Sequence, residues 1–199
     1  MLKLIGLVPL LLFAVLWVVL LVILRVRREA GWVHLLLVAI FGAYLYAVLD
    51  VTLLQYQSLL LLKLFQPDLI VRGIEAAQSL NFVPLVGLSI GDLPTSLLNI
   101  LMLVPFGFGL PFLTGFRFAQ VVASGALFSL AIEALQLATG QWAGTTFRVT
   151  DINDVIFNTT GAAIGYLLFI GFLRLLRAAR GGSPVSNPLL RHLIERPQI

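Results

Sequence analysis

Read from the N-terminus, the chain alternates between long unbroken apolar runs and short stretches that carry almost all of its charge. The first run, Leu4 to Leu24, has 21 residues. At a rise of about 1.5 Å per residue it covers about 31 Å, enough to cross the hydrocarbon core of a bilayer. Further runs follow at Val33–Leu54, Ser96–Leu113, Phe118–Ala138 and Ile152–Leu173. None alternates at a period of two, and lipid offers no hydrogen bonds to an open backbone, so the pattern predicts helices rather than barrel strands. The expectation is an all-α, polytopic membrane bundle of about five transmembrane helices, with residues 1–180 as a single transmembrane domain. Between the second and third runs, Leu59–Phe65 and Leu80–Ile90 are apolar but too short to span, which fits interfacial or re-entrant segments.

Composition agrees: 60% of residues are hydrophobic, 11% are charged and the mean hydropathy is +1.04. Soluble domains carry about 25% charged residues, so a water-facing surface could not be built from this chain. A signal peptide would have a shorter apolar region, more basic charge before it than Lys3 alone and small residues at a cleavage site, so the first run reads as a retained helix. The chain has no Cys, which excludes disulfides, thiolate metal sites and thiol nucleophiles.

The net charge of +4 raises nucleic acid as a partner, but the basic residues border apolar runs instead of forming a face of their own, and membrane topology explains them better. In a five-helix arrangement Arg25, Arg27, Arg28, Arg117, Arg174, Arg177, Arg180, Arg191 and Arg196 fall on one side, nine of the thirteen Lys/Arg. Lys3, Lys63, Arg72 and Arg148 fall on the other. The positive-inside rule then predicts an external N-terminus and a cytoplasmic tail at 181–199. Trp17, Trp32, Trp142 and the tyrosines read as anchors at the membrane boundary.

Ionisable residues inside such runs cost about 2.5–3.5 kcal/mol each on insertion scales and require partners. Glu133 and Gln136 share a face near the outer end of the fourth run, and Ser129 extends that face. In the fifth run Asp151, Asp154, Asn158, Gly161 and Gly165 fall within a stripe roughly 80° wide at 100° per residue. Gly161 and Gly165 form a GxxxG that admits a neighbouring helix. Asp151 can cap the helix start and, with Asp154, complement its dipole. Arg148 can neutralise an acid. In the third run Asn99 enters from the outside, Pro105 removes a mid-helix hydrogen bond, and Pro111 is expected to end the regular turn. Asn81 to Pro84 are expected to fold back toward the same cluster. Two readings stay open: a structural ion-pair network, and a functional site.

Both histidines, His34 and His192, are assigned to the inner side, which leaves the cluster without a Ser-His or His-metal arrangement, and no phosphate-binding loop occurs. No metal site and no cofactor are expected. A carboxylate–cation site is the minor alternative to ion pairing.

Taken together, Asn81 to Pro84 (NxxP), Asn99 to Gly107 (N, then P-x-G), Glu133 with Gln136 (ExxQ), and Arg148, Asp151, Asp154, Asn158 and Gly161 (RxxDxxDxxxNxxG) resemble the signature of the VanZ-like family of bacterial membrane proteins. The resemblance runs in order over about residues 81 to 166. It implies a role in the cell envelope, linked to lowered susceptibility to glycopeptides such as teicoplanin, and it implies no settled biochemical activity. Partners under this reading are the lipid bilayer and a glycopeptide or a lipid-linked cell-wall precursor. The rival function is a membrane enzyme on a lipid-linked or cell-wall substrate, with a carboxylate as general acid or base and Arg148 steering an anionic group.

Overall fold

The computed structural model describes residues 2–53, 80–85, 90–143 and 150–180. Five long helices carry the fold: α1 (Leu2–Arg27), α2 (Trp32–Thr52), α3 (Leu93–Thr114), α4 (Phe118–Ala143) and α5 (Ile152–Arg180). All five are long and apolar enough to cross a membrane. A 3₁₀ turn at Ile90–Asp92 leads into α3, and two short strands, β1 (Leu80–Asn81) and β2 (Thr150–Asp151), pair in parallel. This two-residue ladder leaves the all-α class unchanged and ties a loop to the start of α5. The predicted segments at 59–65 and 181–199, and Arg148, lie outside the described residues.

The helix directions follow from cross-helix bonds. The Gln136 amide of α4 donates to the Thr52 carbonyl at the end of α2, Asp151 at the start of α5 donates its amide to Glu133 of α4, and Asn99 near the start of α3 bonds Asp154 of α5. The ends of α2 and α4 and the starts of α3 and α5 therefore meet at one end of the bundle. The α1–α2 corner, the α3–α4 turn and the end of α5 form the opposite end. Arg25, Arg28, Arg117 and Arg177 belong to that opposite end, as the charge pattern predicts.

Helices α3 and α5 run parallel and touch most closely. A Cβ placed on Gly161 would meet the Ile100 carbonyl, one on Gly165 the Val104 carbonyl, and one on Gly107 the Ala162 carbonyl, each well inside van der Waals contact. Only a bare Cα lets the two backbones lie this close, the physical content of the GxxxG spacing. Helix α4 closes the trio, with Gly125 against the Ala162 methyl.

Beyond the glycines, toward the arginine end, the interior is aromatic. Phe112 meets Phe169 edge to face with centroids 4.8 Å apart, Phe108 meets Phe112 at 5.5 Å and Phe172 at 5.6 Å, and Tyr166 meets Phe118 at 5.5 Å. Helix α1 stands at the edge, with Leu11, Val15 and Leu16 at least 60% exposed. This apolar belt has lipid as its solvent.

Three expectations are corrected. Pro111 does not end the helix, which runs on to Thr114 and stops at Gly115 (φ 72°), where the left-handed backbone suits glycine. Helices α4 and α5 extend to Ala143 and Arg180, past the predicted Ala138 and Leu173. Trp17 is not a boundary anchor: in mid-α1 it packs on Gly42 and donates its indole N–H to the Val38 carbonyl at 3.1 Å. Trp32, 74% exposed with Arg25 over its ring at 5.1 Å, does sit at the helix corner. The Trp142 side chain lies outside the described residues.

Candidate functional site

The glycine-mediated approach of α3 and α5 brings together the polar residues that precede those glycines on each helix. One turn and more toward the polar end, Asn99 of α3 donates its amide to Asp154 of α5. Asp151 caps α5: its Oδ1 accepts the Asn153 backbone N–H at 2.8 Å, satisfying one of the amides a helix start leaves open. The same Oδ1 accepts the Asn81 side-chain amide at 2.9 Å. The Asp151 backbone N–H, itself outside any helical ladder, donates to Glu133 Oε2 at 3.2 Å. One carboxylate from α4 thus completes the cap of α5.

The NFVP turn is shaped by one internal polar contact and held to this cap by two others. Asn81 Oδ1 accepts the Val83 amide at 3.2 Å, an Asx turn. Asn153 Oδ1 accepts the Leu85 amide at 2.7 Å, and Leu85 takes φ 60°, a left-handed conformation uncommon for a residue with a branched side chain. The Asn81–Asp151 bond completes the set. Phe82, Val83 and Leu85 meanwhile point outward, each more than half exposed.

Deeper between α4 and α5, the Asn158 amide donates to Ser129 Oγ at 2.9 Å, with both side chains buried. Glu133 lies one turn above Ser129 on α4, and Asp154 one turn above Asn158 on α5, so the site is two short ladders with acids at the polar end and neutral groups below. Glu133 is 6% exposed and Asn158 2%.

Of the predicted residues, Glu133, Asp151, Asp154, Asn158, Asn81 and Asn99 are brought into this network. Gln136 leaves it: its buried amide turns to α2 and donates to the Thr52 carbonyl at 2.8 Å. The shared face of Glu133 and Gln136 is split between two neighbours. Gly161 and Gly165 set the α3–α5 distance. Pro105 lies deeper, at a different polar feature: the Tyr44 hydroxyl of α2 donates to the Met102 carbonyl at 2.7 Å, and its oxygen faces the Phe106 amide. Pro105 leaves the Leu101 carbonyl without its helical donor, and Tyr44 bonds the next rung, Met102 and Phe106, beside that gap.

Asn153 and Thr52 were not singled out from the sequence. Asn153 is 2% exposed and positions the NFVP turn, yet it lies about 200° around the helix from Asp151, outside the polar stripe. Its signal was the spacing from the cap, since an Asn two residues past an Asp at a helix start faces the incoming loop. Thr52 contributes a backbone carbonyl, which no side-chain pattern encodes.

Chemically the cluster is rich in acceptors, and the amides of Asn81, Asn99 and Asp151 are all directed at carboxylates. Such an arrangement recognises hydrogen-bond donors and cations, and it can hold a carboxylate out of bulk water. Among the described residues no three His, Cys, Asp or Glu side chains gather to hold a metal ion.

Fold and site define a multi-pass helical membrane protein with a hydrogen-bonded polar cluster at one end of its last three helices. The family model VanZ/LLP1 matches residues 11–176, which take in α2, α3 and α4 whole, most of α1 and α5, and the whole cluster; the chain belongs to this family. No curated protein and no solved structure matches it.

Proposed function

We propose that the chain is an envelope protein of the cytoplasmic membrane that lowers susceptibility to glycopeptide antibiotics such as teicoplanin, and that the cluster of Glu133, Asp151, Asp154 and Asn158, with Arg148 from the adjoining loop, is its working site. The observation that supports this reading is the convergence of three other segments on the first turn of α5: Asn81 and Glu133 bond the side chain and backbone of Asp151, and Asn99 bonds Asp154. Three acids, each costing about 2.5–3.5 kcal/mol to insert if unpartnered, are more than the cap of one helix requires. The test is expression in a sensitive Gram-positive host: tolerance should rise for teicoplanin more than for vancomycin. Unchanged susceptibility with confirmed membrane expression sinks the resistance reading.

The proposed topology places the N-terminus and the polar end outside, the arginine end and the 181–199 tail in the cytoplasm, and one transmembrane domain over 1–180. A single Cys introduced at Thr145 should react with an impermeant maleimide from outside; reaction only from inside inverts the orientation.

The burial of Glu133 favours a second reading, an enzyme using this carboxylate as general acid or base on a lipid-linked or cell-wall substrate. Turnover of such a substrate by purified protein, lost in Glu133→Gln, separates it from a binding role.

A further inference from the structure

The deepest polar group of the cluster has an unused valence. Asn158 is 2% exposed, its Nδ2 donates to Ser129 Oγ, and its Oδ1 is enclosed with no hydrogen-bond donor among the described residues. Burying an amide carbonyl without a donor costs about 1–3 kcal/mol. Exchanging the amide's oxygen and nitrogen does not cure this: the Ser129 hydroxyl would then donate to the oxygen, and Nδ2 would be left without an acceptor. In either orientation one polar atom of the amide needs a small partner, a donor to Oδ1 or an acceptor from Nδ2, and water can be either.

Surroundings narrow the choice. Ser129 is fully buried, and the carboxyl groups of Glu133 and Asp154 stand one helical turn, about 6 Å of rise, closer to the polar end. Below Asn158 the α3–α5 contact is sealed by glycines, with Gly161 against the Ile100 carbonyl, and beyond it the core is aromatic. Among the described residues, the polar side from which a partner would reach Asn158 is the carboxylate end. Buried polar atoms of this kind are met by ordered water, which binds with about three hydrogen bonds where enough polar partners converge.

We propose that Asn158 and Ser129 hold a resident water at the floor of the cluster, so that the site is a hydrated chamber open toward the carboxylates and closed toward the bundle interior. This deepens the functional reading above and rests on it for its meaning. A hydrated floor lets protons exchange between water and the carboxylates inside the membrane-embedded part of the protein, the condition that carboxylate acid–base chemistry needs and a dry ion-pair network lacks.

The test is water-edited solid-state NMR on the full chain in liposomes. Polarisation should pass from water to the Asn158 side-chain carbon and the Ser129 Cβ several-fold faster than to the ring of Phe169, which is 1% exposed and serves as the dry reference. Transfer to Asn158 no faster than to Phe169 overturns the proposal. In Asn158→Leu the fast transfer to Ser129 should be lost; if it persists, the water is held elsewhere and the assignment to Asn158 is wrong. The functional reading fails separately. Fast transfer with drug tolerance unaffected by Glu133→Gln leaves the water standing and removes the role, whereas slow transfer with tolerance abolished does the reverse.

Discussion

The two halves of the α3–α4–α5 trio solve the same packing problem with different chemistry. At the arginine end Phe108, Phe112, Phe169 and Phe172 fill the space between helices with rings that make no hydrogen bonds. At the other end Asn99, Glu133, Asp151, Asp154 and Asn158 fill it with directional bonds. In lipid, apolar side chains gain little by leaving their solvent, which is as apolar as they are, so rings hold helices through shape and dispersion. The polar half is held by the cost of an unpartnered group in a low-dielectric interior. Damage to the first half should therefore scale with volume, and damage to the second with charge and partner count.

The boundary between the halves is the glycine contact, and a change there should have the largest effect. Gly161→Leu would drive a side chain into the Ile100 carbonyl, which is backbone and cannot swing aside. The helices must part, and with them Asn99 from Asp154. We expect loss of folded protein in detergent and in nanodiscs. Gly161→Ala, with one methyl, should cost about 1–3 kcal/mol, the usual range for overpacking. A variant with native thermal stability would show that the α3–α5 contact is looser than described.

Phe112→Ala should come next. The ring is 5% exposed and touches three others. In a soluble core such a change costs about 3–5 kcal/mol, part of it lost transfer energy that lipid does not supply. The expectation is about 1–3 kcal/mol of stability, measured by reversible unfolding in mixed micelles, with no change in drug tolerance. A loss of tolerance without a loss of stability would mean that the aromatic half is part of the site.

The same contrast explains what could be read from the sequence. The five helices were legible because apolar runs of about 20 residues have one physical solution in lipid. The polar stripe of α5 was legible because Asp151, Asp154 and Asn158 repeat at helical spacing, and its glycines announced the neighbour. Helix ends were harder. Arg174 and Arg177 end the apolar run but not the helix, since long basic side chains reach water while their backbone stays helical. Partners across the bundle were not legible. Gln136 shares a face with Glu133, yet its acceptor is a carbonyl 84 positions away. Tyr44 read as a boundary anchor because its real partner, the Met102 carbonyl beside Pro105, exists only once α2 lies against α3. Arg148 was legible as a motif residue but lies outside the described residues.

Glu133→Gln and Asp154→Asn separate the two readings of the cluster, and they have the smallest stability effect of the series if the acids serve chemistry. Each keeps the shape of the side chain and the oxygen that accepts its hydrogen bond, from the Asp151 amide in the first case and from the Asn99 amide in the second. Only charge is removed. Interhelical hydrogen bonds in membrane proteins average about 0.6 kcal/mol, so if the acids serve chemistry, unfolding should shift by less than about 1 kcal/mol while drug tolerance is abolished. If they serve as structural counter-ions to Arg148, each change leaves a buried cation short of a partner. Stability should then fall by about 3–5 kcal/mol, with tolerance falling alongside it. The double variant sharpens the distinction. Two acids that share one cation should be non-additive in stability by more than about 0.5 kcal/mol, whereas acids with separate roles should add. Additive, small losses with tolerance retained would defeat both readings, and the acids would then owe their positions to capping α5 alone.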